Sequence, residues 1–536
     1  MNQFLKFFSF CILLNFLFSA SAFGQQPATD TVRVVEILQA TRKLELLKIN
    51  DTTQLQVLAG NVKLRQGNTI FTCDSCVINN GAKIFEAFGK VHINDGDTAH
   101  IYSDYLRYLI DKRLAYFKKN VRLTDGKGTL TTSVLEYDVN TKLGIYHKGG
   151  RVVNEKTVLT SEEGYYYSDL RDIYFKKGVV LKDPAYTLHT DSLLYNTESQ
   201  VARFISETLI KDSSGRTIKT KEGYYDTKNR KAEFGSRPEI RDSKTTVIAN
   251  RVTFDDSSGI SIAEGNAIIV DTAQGTTIIA GRIMRDDKTE SMLAVNKPLM
   301  IIKQEEDSIY ITADTLFSAR LSYLYGKKDS LTKDTIKGTK VIHTKKKDST
   351  DRYFEAFYHV RIFSDSLQSV CDSLFYSLKD SVFRLFKDPV VWSRKSQITG
   401  DTILLYTKNK KADRIKVFDN SLLVNKVQGE FFNQIKSARM DGYFTEGAID
   451  LVRARGFAES IYYIQDEDSA FTGVNQSTAD IMDIYFKNKE LSKVVFRSDV
   501  KGTLWPIRSK TAEEMRVTNF KWLEARRPKT KYELFE

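Results

Sequence analysis

A pattern of about thirty residues recurs along nearly the whole chain, and within each copy apolar and polar residues alternate. One copy reads Phe88-Gly89-Lys90-Val91-His92-Ile93, then Ile101-Tyr102-Ser103-Asp104-Tyr105-Leu106-Arg107-Tyr108; another reads Phe175-Lys176-Lys177-Gly178-Val179-Val180-Leu181, then Leu188-His189-Thr190-Asp191-Ser192-Leu193-Leu194-Tyr195. The far half repeats it in Phe357-Tyr358-His359-Val360-Arg361-Ile362 and Val370-Cys371-Asp372-Ser373-Leu374-Phe375-Tyr376. A side-chain period of two places one face of a strand inward and the other outward. Polar breaks such as Asp125-Gly126-Lys127-Gly128 supply turn chemistry between strands. Each unit leaves an apolar face that only a stacked neighbour can bury, so the expected fold is an all-β, repeat-built solenoid, sandwich or open roll.

Composition agrees. Phe (32) and Tyr (26) are abundant and Pro (7) is scarce, which favours strands. The net charge of +12 fits an anionic partner, but the basic residues are spread along alternating segments, which argues against nucleic acid.

At the N-terminus, Lys6 precedes the apolar run Phe7 to Phe18 and small residues around Ser19 to Ala22, the layout of a secretory signal peptide over residues 1–24. The expected destination is the periplasm, with outer-membrane association left open. The repeats are expected to form one array over 25–325 and a second over 353–505. Between them, 326–352 carries nine Lys/Arg with little alternation and reads as a charged loop. Residues 506–536 read as a short helix, started by a capping box at Thr511-Ala512-Glu513-Glu514, and a basic tail containing Arg526-Arg527-Pro528-Lys529.

No nucleophile elbow, phosphate loop or zinc-protease helix is present, so no enzyme, cofactor or metal is expected. Cys73 and Cys76 form a CxxC, yet Cys73-Asp74 fills the slot held elsewhere by Ser103-Asp104, Thr190-Asp191 and Cys371-Asp372. Cys73 is therefore read as a structural small residue, and alternation along a strand would send Cys73 and Cys76 to opposite faces. The recurring Asp is read as a strand-corner residue.

Gly60-Asn61-Val62-Lys63-Leu64, Cys73-Asp74-Ser75, Ala87-Phe88-Gly89-Lys90-Val91, Gly96-Asp97-Thr98 and Ser103-Asp104-Tyr105-Leu106-Arg107-Tyr108 resemble OstA-like proteins, the family of the lipopolysaccharide-transport protein LptA and of the N-terminal periplasmic domain of LptD. The closing residues Glu513-Glu514-Met515, Asn519-Phe520-Lys521-Trp522-Leu523 and Arg526-Arg527-Pro528 resemble the tail of long members. The resemblance implies an open β-jellyroll that holds lipid A acyl chains on its inner face. It also implies partnership with lipopolysaccharide and, through edge-strand pairing, with other transport proteins. Alternation assigns Val91, Ile93, Leu106, Val121, Leu123, Leu135, Val179, Leu181 and Leu193 to that face. A rival reading is a repeat-built scaffold or adhesin with a closed core and no lipid.

Overall fold

The computed structural model describes residues 34–535 apart from a break at 325–349 and shorter ones at 51–52, 97–98, 304–306, 409–410, 446–447, 467, 469 and 488–489. The signal-peptide reading and most of the charged 326–352 stretch therefore lie outside the described residues. The chain is all-β, with long antiparallel strands such as Gln54–Gln66, Thr69–Asn79, Ile84–Asp95 and Ala99–Leu109. It divides into two compact units, one up to Lys182 plus Leu194–Glu198, the other Asp183–Leu193 plus Ser199–Glu536.

In the first unit each long strand is bent near its middle. At the bend, Phe88 pairs with Tyr105 and Val91 with Ser103, so one strand carries an extra residue. The bent strand spends it on residues with positive φ: Gly60-Asn61, Gly89-Lys90, Lys119-Asn120 and Lys177-Gly178. The bends split the strands into two limbs. Limb A contains 62–66, 69–73, 91–95 and 99–103, and limb B contains 54–59, 75–79, 84–88 and 105–109. Phe71 of limb A packs on Phe85 and Tyr108 of limb B at centroid distances of 5.2 and 4.8 Å, so the limbs face each other across the core. This is a β-jellyroll-like layout: two sheets joined along a line of corners.

The recurring Asp sits at these corners. Asn120 Nδ2 donates to Asp104 at 2.6 Å, and the Asp74 carboxylate lies against Gly89, where a Cβ would meet it at 2.6 Å. The small residue in the slot before the Asp (Ser133 takes the Asp position after Thr132) uses its hydroxyl on nearby carbonyls. Ser103 Oγ donates to Tyr105 O at 3.0 Å, and Thr132 Oγ1 to Gly149 O at 2.7 Å. Cys73 fills this slot and is a buried, free thiol.

The expectation that Cys73 and Cys76 face opposite ways is corrected. Both are buried, because rounding the corner shifts the inward parity from Phe71 and Cys73 to Cys76 and Ile78. The Cys73 thiol hydrogen-bonds Cys76 and, together with burial, holds the Cys76 thiol far above its usual range.

The second unit repeats the design, with corners at Ser236-Arg237, Gly265-Asn266, Asn296-Lys297, Tyr358-His359, Lys387-Asp388, Asp419-Asn420 and Gly456-Phe457. Ser308–Thr312 and Thr315–Ala319 both pair with Tyr353–Phe363, so the ladder carries on across the break at 325–349.

The expected helix at 511–514 is also corrected. The capping box forms, with Thr511 N donating to Glu514 Oε2 at 2.8 Å and Glu514 N to Thr511 Oγ1 at 3.2 Å, but only a turn follows. The tail instead runs back along the outer face of the second unit as an extended strap. Gln434 donates to Met515 O at 2.9 Å and accepts from Val517 N at 3.0 Å. Gln397 treats Lys521 O (2.8 Å) and Leu523 N (2.7 Å) the same way, and Arg527 Nε binds Gln368 Oε1 at 2.9 Å. These three glutamines share one cross-strand row, Gln368–Trp392–Gln397–Val424–Gln434. Met515, Val517, Phe520 and Trp522 cover the apolar residues beside it, including Val424, Phe432 and Tyr463.

Candidate functional site

The interior between the limbs is where an apolar ligand would go, and the two units treat it differently. In the first unit the side opposite the corners is closed. Tyr108, Tyr137 and Tyr166 of limb B are fully buried and recur on one inner row of the sheet. Tyr108 donates to Gln66 at 2.5 Å and Tyr137 to Asp95 at 2.9 Å, each reaching limb A across the core. Asp95, 1% exposed, also accepts from Thr69 Oγ1 at 2.8 Å and pairs with Lys142. Asp125 accepts from Thr197 at 2.7 Å, and Asn154 donates to Thr197 O at 2.7 Å. Burial, and then the Asp95 charge, hold the Tyr137 phenol well above its ordinary range; burial, and then Asp125, do the same to Tyr166. These bonds stitch the mouth of the roll shut.

The nine residues assigned to the inner face all point inward. Val91, Ile93, Leu106, Val121, Leu123, Leu135, Val179 and Leu181 in the first unit and Leu193 in the second are 0–1% exposed. They are packed against the protein's own side chains.

In the second unit the mouth position changes character. The inner row runs Tyr225, Ala232, Phe254, Ser261, Arg285. Phe254 has no hydroxyl to reach across, and Ser261 is too short to do so. A cavity of about 320 Å³ opens there between the limbs, walled by Ile240, Val247 and Ile269 from limb A and by Val252, Phe254, Ile262, Ala263 and Ile283 from limb B. Arg216 and Asp242 stand at one lip, and Arg285 and Asp287 at the other. Arg216 lies over the Phe254 ring at 4.9 Å and binds Asp212 at 2.8 Å. Arg285 binds Asp287 at 2.7 Å with both side chains about half exposed, an arrangement that leaves the guanidinium free to exchange partners. The size falls at the lower end of ligand pockets, about 300–1,000 Å³. Apolar walls with two arginines at the rim suit an acyl chain attached to an anionic group.

Sequence reasoning missed this stretch because its alternation matches that of the closed one. The available signal was the loss of Tyr from the thirty-residue series, Tyr108, Tyr137, Tyr166, Tyr195 and Tyr225 giving way to Phe254. Among the described residues no cluster of His, Cys, Asp and Glu is arranged to hold a metal ion.

Residues 34–191 and 173–250 match the family model described as OstA-like protein. No curated protein matches the chain. Among solved structures, the chain is similar to LptH of Pseudomonas aeruginosa, described as the LptA-homologous periplasmic component of the conserved lipopolysaccharide transport device. That match has 9% identity and a TM-score of 0.19, and covers 27% of this chain and 82% of the other. Over residues 34–250 the chain is thus similar to OstA-like proteins.

Proposed function

We propose that the protein is a non-catalytic carrier in lipopolysaccharide transport that works in the periplasm and shields acyl chains on the inner face of its roll. The observation that carries this reading is the apolar cavity between the limbs at 214–287, in a chain with an OstA-like sequence. Burying a methylene is worth about 0.8 kcal/mol, so a few acyl carbons in this cavity would be held without covalent chemistry. Arg216 and Arg285 at the rim would face the phosphates. The nine inward residues from Val91 to Leu193 belong to the same inner-face pattern; lipid contact there requires the tyrosine bridges to part. Edge-strand pairing with other transport proteins completes the proposal.

The test is a photo-crosslinking amino acid placed at Ile283, an inward-facing residue of the cavity wall, and, as a control, at outward-facing Arg122. Capture of lipopolysaccharide at 283 and not at 122 is the expected result. Equal labelling at both positions, or none at 283, would sink the carrier reading in favour of a closed scaffold.

A further inference from the structure

Corner residues with positive φ are mostly Gly, Asn, Asp, Ser, Lys or Arg here, side chains that tolerate or solvate that backbone. Among the described residues, Tyr358 and Phe457 are the phenyl-bearing exceptions. Phe457 has φ +48° and is 93% exposed, so a bulky apolar ring is held in a disfavoured conformation with nothing packed over it. Neither core packing nor turn geometry accounts for the choice, because Asn fills the equivalent place at Asn61, Asn120, Asn266 and Asn420. An outlier of this kind is a reason to look for function.

Arginines cluster on one side of the Phe457 corner, although Asp480 stands opposite the corner itself and Glu459 follows it. On the strands beside this corner Arg439 pairs directly with Arg455, a like-charge juxtaposition that costs stability unless an anion intervenes. Arg455 is in register with Ile481, and Ile481 with Arg497, placing a third guanidinium one strand further on. Arg453 and Arg497 share Asp483 at 2.5 and 3.1 Å, and Arg455 lies 3.9 Å from Asp441. On these two rows four arginines thus face two carboxylates, Asp441 and Asp483. At the next corner Asp499 is met by Lys501 at 3.6 Å.

We propose that the Phe457 corner is a contact point for an anionic lipid surface, with the ring entering the interface and Arg439, Arg455 and Arg497 meeting the headgroup charges. The pairing follows the general rule for peripheral attachment: apolar insertion plus electrostatic attraction to anionic lipid. The proposal stands apart from the acyl-chain cavity, whose residues it does not use.

The experiment is co-sedimentation of the full chain with vesicles of phosphatidylcholine alone and of phosphatidylcholine with one-quarter phosphatidylglycerol. Wild type is expected to bind the anionic vesicles, less so as salt rises, and to leave the neutral ones. Phe457→Asn separates fold from function: Asn accepts positive φ, so the variant should unfold at higher urea than wild type while losing at least fivefold in vesicle binding. Arg439→Gln with Arg455→Gln should lose the preference for anionic vesicles. In Phe457→Trp, emission should shift to the blue on adding anionic vesicles. The proposal is overturned if wild type ignores both vesicles, if Phe457→Asn binds as well as wild type, or if Phe457→Trp emission is unmoved. Loss of a protein partner by Phe457→Asn with vesicle binding unchanged would reassign the corner to a protein interface.

Discussion

Tyr137 hands its phenolic hydrogen to Asp95, a residue 42 positions earlier, at 2.9 Å across the core of the roll. This bond joins the limbs, so Tyr137→Phe should cost about 1–3 kcal/mol, the usual consequence of leaving a buried acceptor short of a donor. Urea unfolding measures it. Lys142 and Thr69 still hold Asp95, so the fold should survive. The phenol also sets a pH dependence. Its folded pKa lies above the unfolded value of 10.0. The associated stability is therefore complete below pH 10 and declines as pH rises above it. The difference between wild type and Tyr137→Phe should shrink over that range; a constant difference would mean that the phenol does not titrate with folding.

The corners make a paired prediction. Gly89 has φ +71°, and a Cβ there would lie 2.6 Å from Asp74 Oδ2, so Gly89→Ala should destabilise by about 1–3 kcal/mol. The next residue, Lys90, has φ +45° with its side chain already in place. Lys90→Gly should be neutral or stabilising by up to about 1 kcal/mol, since Gly adopts that φ freely. Thermal melts of the two variants should move in different directions; parallel losses would refute the corner model.

What the sequence disclosed and what it hid follow from the same geometry. Alternation set the direction of Val91, Ile93, Leu123 and their companions correctly, because each lies within one limb, where a period of two holds. It failed for Cys73 and Cys76, which flank a bend where the inward parity slips by one. The capping box at Thr511 was readable, since it is local; the absence of a helix after it was not, since Met515 and Val517 are drawn onto Gln434, about 80 residues away. The cavity was invisible to periodicity because open and closed rolls both need apolar inner faces. Only the replacement of a bridging Tyr by Phe254 marks it.

The strap rests on a few bonds that can be cut singly. Gln397, fully buried, satisfies both Lys521 O and Leu523 N. Gln397→Ala leaves both groups without that partner and should cost about 1–3 kcal/mol. Hydrogen exchange at 515–527 should speed up before exchange in the strands below does. Deleting 507–536 goes further, uncovering Val424, Phe432 and Tyr463, and should raise binding of an apolar dye severalfold. A deletion that leaves dye binding unchanged would show that the strap does not shield this face.

The N-terminal end of the first unit should be a site of association. Its terminal strand Lys43–Lys48 pairs on one side with Gln54–Gln66, placing Leu44 beside Leu58 and Leu46 beside Gln56. Leu44 and Leu58 share the inner face, yet Leu44 is 58% exposed where Leu58 is 0%. Leu46 is 66% exposed and follows the same row as Ile78 and Phe85. Among the described residues the inner face of the roll therefore runs out to its end without a cap, and the strand at that end pairs on one side. Uncapped edges of this kind recruit another strand. Leu44→Lys with Leu46→Lys should leave the fold intact, because both side chains are already in solvent. It should also abolish self-association, or capture of other transport proteins, through this end. Sedimentation velocity over a range of concentrations reads the first effect and pull-down from an envelope extract the second. If the double variant associates like wild type in both, the contact lies elsewhere and edge pairing at this end is refuted.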